Sequence, residues 1–259
     1  MEGTPRMTTT TPPIATGPIA AAETATRMQP RTATQRQYVR FAFYKVDPAW
    51  KRLPQAEREQ GYAEFLAAID KTTPHMLVRS YSCLGLRSDA DFLLWQVSYD
   101  LDDFQAFAAK LDHTGLGHYL TTPYAYLSMT RRSQYVDPHD RDSESNRLTI
   151  EPGGRKFLFV YPFVKTRPWY QLTKEERHEL MMEHIEVGQS FPSVKLNTTY
   201  SFGLDDQEFV VAFETDFPQD FLDLVEKLRY TKVSMYTLRD TPMMTCRALD
   251  IRELLPQLG

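Results

Sequence analysis

Short runs in which apolar and polar residues alternate are separated along this chain by segments with a helical spacing of apolar residues. Alternation with a period of two predicts strands, and a period near 3.6 predicts helices. The pattern predicts strands at residues 38–46, 76–86, 91–99, 124–131, 156–165, 194–203, 207–215 and 241–250. It predicts helices at residues 54–70, 102–112, 173–188 and 218–229. The order strand, helix, two strands, helix, strand therefore occurs twice.

The two sets of elements are copies of one repeat, because equivalent residues keep a constant separation along the chain. Trp50 and Trp169 lie 119 residues apart, and after a short deletion Phe92 and Phe209 lie 117 residues apart. The order βαββαβ is typical of a ferredoxin-like unit, in which helices cover one face of an antiparallel sheet. The sequence therefore predicts an α+β fold: two tandem ferredoxin-like (βαββαβ) units forming a dimeric α+β barrel.

The repeat divides the chain into four segments. Residues 1–36 are rich in Thr, Pro and Ala and lack hydrophobic periodicity, which predicts a disordered tail. Residues 37–131 form the N-terminal ferredoxin-like half, and residues 156–259 form the C-terminal half. The polar connector at residues 132–155 is long for a loop inside a compact domain, so we expect it either to be mobile or to line a ligand entrance.

Composition and charge narrow the classes of function. A net charge of −4 argues against nucleic acid or an anionic membrane as the main partner. No apolar run approaches the roughly 20 residues that span a bilayer. Cys83 and Cys246 are far apart in predicted strands and have no metal-binding spacing. This favours two buried thiols in a reducing, cytoplasmic compartment.

The repeat also separates structural positions from candidate functional ones. Residues that agree between the copies serve the shared frame, whereas residues that differ in chemical type point to function. The second copy places a histidine, a phenol and an ammonium where the first has apolar residues: His184 against Phe65, Tyr161 against Ala42 and Lys165 against Val46. These differences predict a single site in the second half.

Two interpretations of His184 follow from its helix. It lies four residues after Leu180 and three after Met181, so it belongs to the predicted buried face. One interpretation is a core histidine hydrogen-bonded to a carbonyl; the other is an axial ligand of haem iron, a role that a single imidazole can fill. No second histidine, cysteine or carboxylate has zinc-binding spacing. The contrast with Phe65 leaves both interpretations open.

The strand before this helix has two further candidates. Tyr161, Phe163 and Lys165 alternate along it and should share one face. They are either an aromatic core with a lysine stem lying along it, or a redox-active phenol with a cation close by. Arg229, at the end of the next helix, and Ser234, just after it, are either ordinary surface residues or anion contacts at the rim of the site.

Three runs resemble the chlorite dismutase superfamily, and more narrowly its coproheme decarboxylase branch, the hydrogen peroxide-dependent haem synthases. They are YPFVKTRPWYQLTKEERHELMMEHIEVG, GLDDQEFVVAFETD and YTLRDTP. The resemblance covers roughly residues 38–250. It implies a dimeric α+β barrel subunit, assembled as a homopentamer, with haem or coproheme in the C-terminal half.

The resemblance also implies roles for single residues. His184 matches the proximal ligand of the haem iron, and Tyr161 matches the tyrosine that forms a radical in the decarboxylases. Lys165 matches the lysine that assists propionate decarboxylation. Arg229 and Ser234 match residues that hold propionates. Phe163, between the matched tyrosine and lysine, would contact the porphyrin.

Three positions depart from the pattern of the family. Leu196 occupies the distal position, where chlorite dismutases have an arginine and some decarboxylases a glutamine. Val233 stands where chlorite dismutases have an acid hydrogen-bonded to the proximal histidine. Another decarboxylase subgroup uses a histidine from the connector, and the nearest match here is Thr130. The group that activates peroxide is therefore not assigned.

The resemblance and the repeat together predict an enzyme. We expect peroxide-dependent oxidative decarboxylation of two propionates of iron coproporphyrin III to vinyl groups, giving haem b through a tyrosyl radical. The partners would be hydrogen peroxide and coproheme, which is both substrate and redox centre. The alternatives are a haem b chlorite dismutase or peroxidase, a non-catalytic haem-binding or haem-trafficking protein, and a barrel that binds no porphyrin.

Overall fold

The computed structural model describes residues 35–72, 76–133, 135 and 148–259. Almost all of the predicted tail and most of the predicted connector lie outside these residues. Within them no helix is long and apolar enough to cross a membrane.

Nine strands and five α-helices make up the described chain. The strands are β1 (Tyr38–Val46), β2 (Leu77–Ser82), β3 (Phe92–Ser98), β4 (Leu120–Met129), β5 (Phe157–Lys165), β6 (Lys195–Tyr200), β7 (Phe209–Thr215), β8 (Thr237–Arg239) and β9 (Met244–Ala248). The helices are α1 (Gln55–Asp70), α2 (Asp102–Asp112), α3 (Lys174–Gln189), α4 (Pro218–Tyr230) and α5 (Ile251–Leu254).

Two predicted strands end earlier than expected, and for the same reason. The strand predicted to run to residue 86 ends at Ser82, and the one predicted to run to residue 203 ends at Tyr200. Each is followed by a turn that contains a glycine with φ of +73°, Gly85 in one half and Gly203 in the other. That conformation is free of strain only for glycine, so the chain turns there.

Other boundaries differ because of local capping and long-range pairing. A capping box begins α3, since Thr173 and Glu176 bond to each other's backbone N–H groups. The helix predicted to end at residue 188 continues one residue further, to Gln189, with Ser190 as its C-cap. The strand predicted at 241–250 is shorter, and the sequence analysis missed β8 and α5.

The strands close into a ring. Their order is β7-β6-β4-β1-β3-β2-β9-β5-β8, and β5 also pairs with β7, so eight strands form a closed barrel with β8 at its side. All of these pairings are antiparallel. Strands β4-β1-β3-β2 come from the first half and β6-β7-β5-β9 from the second. The predicted barrel of two ferredoxin-like units is confirmed.

The buried apolar side chains form three clusters. The barrel interior holds side chains from both halves, such as Phe41, Trp95, Leu158 and Val210, all with no exposed surface. A second cluster lies outside the first-half strands, under α1 and α2. The third lies outside the second-half strands, against α4 and the end of α3. The site residues are on this third, outer surface.

Candidate functional site

The two halves differ most in how their first helix covers the sheet. In α1, Gly61, Phe65, Ala68 and Ile69 are buried, so the helix lies flat on the outer face of its half. The equivalent helix α3 has no fully buried residue and packs chiefly against α4 and residues 232–236. The outer face beneath α3 is therefore less completely covered than its counterpart beneath α1.

The strands under α3 present one continuous face. Tyr161 pairs with Val211, which pairs with Thr198, and Leu196 lies across from Phe213 on the neighbouring strand. Successive side chains alternate between the barrel interior and the outside. We call Tyr161, Phe163, Lys165, Leu196 and Val211 the second-half face. Leu196 is 40% exposed, high for a leucine on a face that a helix overlies.

Tyr161 is the phenol of this face. Its ring stacks on Phe213 with 6.1 Å between centroids, and its hydroxyl makes no hydrogen bond to any described residue. The pKa of Tyr161 is raised well above its ordinary value, chiefly by burial and further by the carboxylate of Asp240. The Arg229 guanidinium acts in the opposite direction. The phenol is therefore protonated at neutral pH, and charged groups lie within electrostatic reach of it.

His184 lies on α3, one turn before Val187, which packs against the second-half cluster. Its Nδ1 is buried and has no hydrogen-bond partner in the described part of the chain. This gives no support to a core histidine held through Nδ1 and is compatible with a ligand role, which stays a prediction. Burial, followed by the charge of Lys165, lowers the pKa of His184 to about 4. The imidazole is neutral at physiological pH and has the free lone pair that a metal ligand needs.

Lys165 is almost completely enclosed, with 8% of its surface exposed. Its ammonium lies 4.7 Å from the ring centroid of Trp169 and 5.2 Å from that of Phe163. Its hydrogen bond to the carbonyl of Val233 is long, at 3.4 Å. Burial lowers the pKa of Lys165 to about 8, against the opposing charge of Glu208. A lysine held in this way gives up its proton close to neutral pH.

Glu208 fixes the end of the strand that carries Lys165. Its carboxylate accepts hydrogen bonds from the backbone N–H of Lys165 and the hydroxyl of Tyr170, at 2.7 and 2.6 Å. In the first half, Asp91 accepts from the backbone N–H of Val46 at 2.8 Å. The acid is thus part of the shared frame, which the sequence analysis missed, although the equivalent acids are visible in the repeat.

Arg229 and Ser234 lie at the end of α4, near the edge of the site. Arg229 forms an ion pair with Asp240, and Ser234 donates its hydroxyl to the carbonyl of Arg229 at 2.8 Å. The sequence analysis missed Asp240, although it falls inside the run YTLRDTP. A guanidinium has five N–H donors, so Arg229 can bind a ligand carboxylate while it stays paired with Asp240.

The structure thus brings together most of the predicted site, while contact of these residues with a ligand stays a prediction. Thr130 does not join them: it is buried at the end of β4 and bonds to Gln37 and Leu148. A surface groove between Tyr135 and the first half of α3 is separate and contains none of the predicted site residues. No cluster of three metal-binding side chains occurs among the described residues.

Comparison with known proteins identifies the family. Residues 58–249 match the family model described as chlorite dismutase, and the chain belongs to this family. Coproheme decarboxylase of Mycolicibacterium smegmatis is 28% identical over 224 residues, which cover 86% of this chain and 94% of that protein. Chlorite dismutase of Ideonella dechloratans is 28% identical over 207 residues, 78% of this chain and 72% of that protein.

A solved structure supports the fold as well. A haem-binding protein from Thermus thermophilus is 26% identical, with a TM-score of 0.78 over 86% of this chain and 95% of that one. The family and its coproheme decarboxylase branch, inferred from the sequence runs, are both supported by these comparisons.

Replacing His184 with phenylalanine should stabilise the protein without ligand. The substitution removes a buried, unpaired Nδ1 and installs the side chain that the first half uses at Phe65. We expect the free energy of unfolding to rise by about 1–3 kcal/mol, the cost of an unsatisfied buried polar group. The matched change Phe65→His should lower it by a similar amount. Urea unfolding of both variants and the wild type tests this, and a less stable His184→Phe protein would contradict it.

Lys165 should give stability a pH dependence of known sign. Its folded pKa is about 8 against an ordinary value of 10.5, so between these values the unfolded chain binds more protons than the folded one. Wild-type stability should therefore rise from about pH 8 to about pH 10 relative to Lys165→Met, which has no amine to titrate. Lys165→Arg stays charged throughout and should show no such rise. The urea midpoints of the three proteins are measured from about pH 7 to about pH 10. Differences between the midpoints that do not change with pH would refute this prediction.

Proposed function

We propose that this protein is a coproheme decarboxylase that converts two propionates of iron coproporphyrin III into vinyl groups with hydrogen peroxide, giving haem b. The observation that carries the proposal is that His184 and Tyr161 replace Phe65 and Ala42 in an otherwise repeated frame. Both replacements belong to the half in which the first helix leaves the sheet partly uncovered.

The residues fit an iron porphyrin on three counts. His184 offers a neutral imidazole with no competing hydrogen bond. Leu196 and the aromatic rings beside it offer an apolar surface for a flat macrocycle. The guanidinium of Arg229 and the hydroxyl of Ser234 lie at the edge, where propionate carboxylates would reach them. We infer that His184 binds the iron.

The bound iron porphyrin would supply the oxidising equivalents taken from peroxide. Tyr161 would give up an electron and its phenolic proton, and the resulting tyrosyl radical would remove a hydrogen atom from the propionate β-carbon. The carbon radical would lose a second electron to the second oxidising equivalent held by the porphyrin, and the C–C bond to the carboxylate would break. Each round consumes one propionate, one peroxide and one proton, and yields one vinyl, one carbon dioxide and two water molecules.

Lys165 would orient the reacting propionate and exchange a proton with it. Its pKa of about 8 suits this role, because the group can change protonation state near neutral pH at little cost. The ammonium is held in place by one long hydrogen bond to Val233 and by the faces of two aromatic rings. These are the contacts that it must give up to reach a carboxylate. Arg229 and Ser234 would hold the propionates at the edge.

Two residues favour this reaction over chlorite dismutation. Leu196 supplies no cation at the distal position, where a chlorite anion would need one. Val233 presents a backbone carbonyl to Lys165 and no carboxylate to His184, whose Nδ1 is left without an acceptor. An imidazole without that acceptor is a weaker electron donor to iron. Weak ligation suits a protein that must release haem as its product.

A non-catalytic haem-binding protein is the second candidate, because Leu196 cannot activate peroxide. A haem b chlorite dismutase or peroxidase is a third, which the same residue and Val233 make less favourable. By its family resemblance we propose a homo-oligomeric assembly, a pentamer.

Product analysis tests the proposal. Purified protein, ferric coproporphyrin III and stoichiometric peroxide should yield haem b by liquid chromatography and mass spectrometry, with a three-propionate intermediate at early times. Tyr161→Phe should retain porphyrin and lose haem b formation by at least about 100-fold, since phenylalanine cannot form the radical.

Tyr230→Phe is the matched control, because that tyrosine is 79% exposed on α4 and the same hydroxyl is removed outside the site. It should form haem b at the wild-type rate. Wild-type activity in Tyr161→Phe would refute the radical role. Tight binding of coproporphyrin without formation of haem b would favour the non-catalytic haem-binding protein. Oxygen evolution from chlorite would favour the chlorite dismutase.

A further inference from the structure

The two cysteines of the chain lie in contact with each other. Cys83, just after β2 in the first half, and Cys246, in β9 of the second half, have their Sγ atoms 3.5 Å apart. Both are free thiols, and neither has any exposed surface. The sequence analysis treated them as two separate buried thiols, because 163 residues separate them along the chain.

Strand register explains the contact. In the seam between β2 and β9, Tyr81 pairs with Ala248 and Ser82 pairs with Arg247. One step further along an antiparallel pair places Cys83 directly opposite Cys246. The two thiols are therefore cross-strand neighbours at the place where the two halves of the barrel join.

The hydrogen bonds of the seam show whether the two cysteines form a hydrogen-bonded or a non-hydrogen-bonded cross-strand pair. Leu249 donates its backbone N–H to the carbonyl of Ser80 across the seam, so the hydrogen-bonded pairs are Ser80 with Leu249 and Ser82 with Arg247. The pairs between them lack such bonds, and the cysteines fall in that class. There the Cα atoms approach to about 4.5 Å, which lies within the range of about 4.4–6.8 Å that a disulfide requires.

We propose that Cys83 and Cys246 are an oxidisable dithiol, which a peroxide converts into a disulfide joining the two halves of the barrel. The two thiols lose two electrons and two protons, one S–S bond forms, the O–O bond of the peroxide breaks, and hydrogen peroxide leaves as two water molecules. The sulfur atoms must close from 3.5 Å to about 2.0 Å. At the Cα separation of such a cross-strand pair, rotation of the two side chains would bring the sulfur atoms together.

The seam between β2 and β9, which the disulfide would cross-link, is short. Two residue pairs join β2 to β9, and Ser80 and Leu249 bond to each other just beyond β9. Arg87 adds a hydrogen bond across the same boundary to the carbonyl of Met243 at 3.1 Å. A covalent bond there closes a very long loop, which restricts the unfolded chain strongly. The oxidised barrel should therefore resist unfolding more than the reduced one.

Burial makes this a slow reaction that follows local opening of the seam. Burial raises the pKa of Cys246, with the neighbouring thiol of Cys83 as a further cause, and the thiolate is the reactive form. The dithiol therefore responds to sustained peroxide rather than to a brief pulse. Neither Tyr161 nor His184 takes part in this oxidation, so the dithiol can form its disulfide whether or not the protein is a decarboxylase.

The full chain without porphyrin, fully reduced and then treated with excess hydrogen peroxide, provides the test. The chain has only two cysteines, so alkylation in denaturant followed by intact mass spectrometry accounts for every thiol. We expect a monomer lighter by two hydrogen atoms, with no alkyl group added, and a tryptic cross-link between the Cys83 and Cys246 peptides. Two alkylated thiols after treatment, sulfinic or sulfonic products, or a disulfide between two molecules would each overturn the proposal.

Thermal unfolding supplies the second measurement. The oxidised wild type should melt several degrees above the reduced wild type, and a phosphine reductant should reverse the shift. Cys83→Ala and Cys246→Ala should show no shift on the same treatment. If the melting temperature of the oxidised protein were equal to or lower than that of the reduced protein, the disulfide would not stabilise the barrel and the proposal would be overturned. The wild-type comparison decides this even if a variant folds poorly.

Discussion

The pairing of β5 with β7 is the constraint on which the rest of the structure depends. It lies within the second half, as the pairing of β1 with β3 lies within the first, and together with the β4–β6 and β2–β9 seams it closes the ring. Closure removes the free edges of eight strands and buries one face of both half-sheets in a shared interior. Neither half can change that interior without disturbing the other, so the outer faces are where the halves are free to differ.

The first half fills its outer face with apolar side chains, and Phe65 completes it. The second half carries a phenol, an ammonium and an imidazole at equivalent positions, and each has a perturbed pKa because burial removes water without supplying full hydrogen bonding. Such groups cost stability in the ligand-free protein, and they persist where function requires them. The first half shows the same frame without these groups: its helix lies flat on the sheet, and apolar side chains take their places.

The sequence analysis predicted the barrel and its order of elements because strand alternation and helical periodicity repeat with a constant offset. It could not predict β8, which exists through its pairing with the end of β5, or the ion pair of Arg229 with Asp240, because both depend on contacts between separate segments of the chain. Tyr161 and Phe163 do share one face, since a strand has a fixed period. The register is irregular between Val164 and Lys165, yet the Lys165 ammonium still lies over the Phe163 ring. The contact between Cys83 and Cys246 needed the register of a seam between halves, which no local pattern carries.

The central claim is that the second half holds an iron porphyrin through His184. Titration of ligand-free protein with ferric coproporphyrin III, followed by the Soret band, tests it most directly, with His184→Ala beside His178→Ala, an exposed histidine on the same helix. The account predicts a shifted Soret band in the wild type and in His178→Ala, its loss in His184→Ala, and its recovery there when free imidazole is added. Identical spectra and affinities for wild type and His184→Ala would contradict the account.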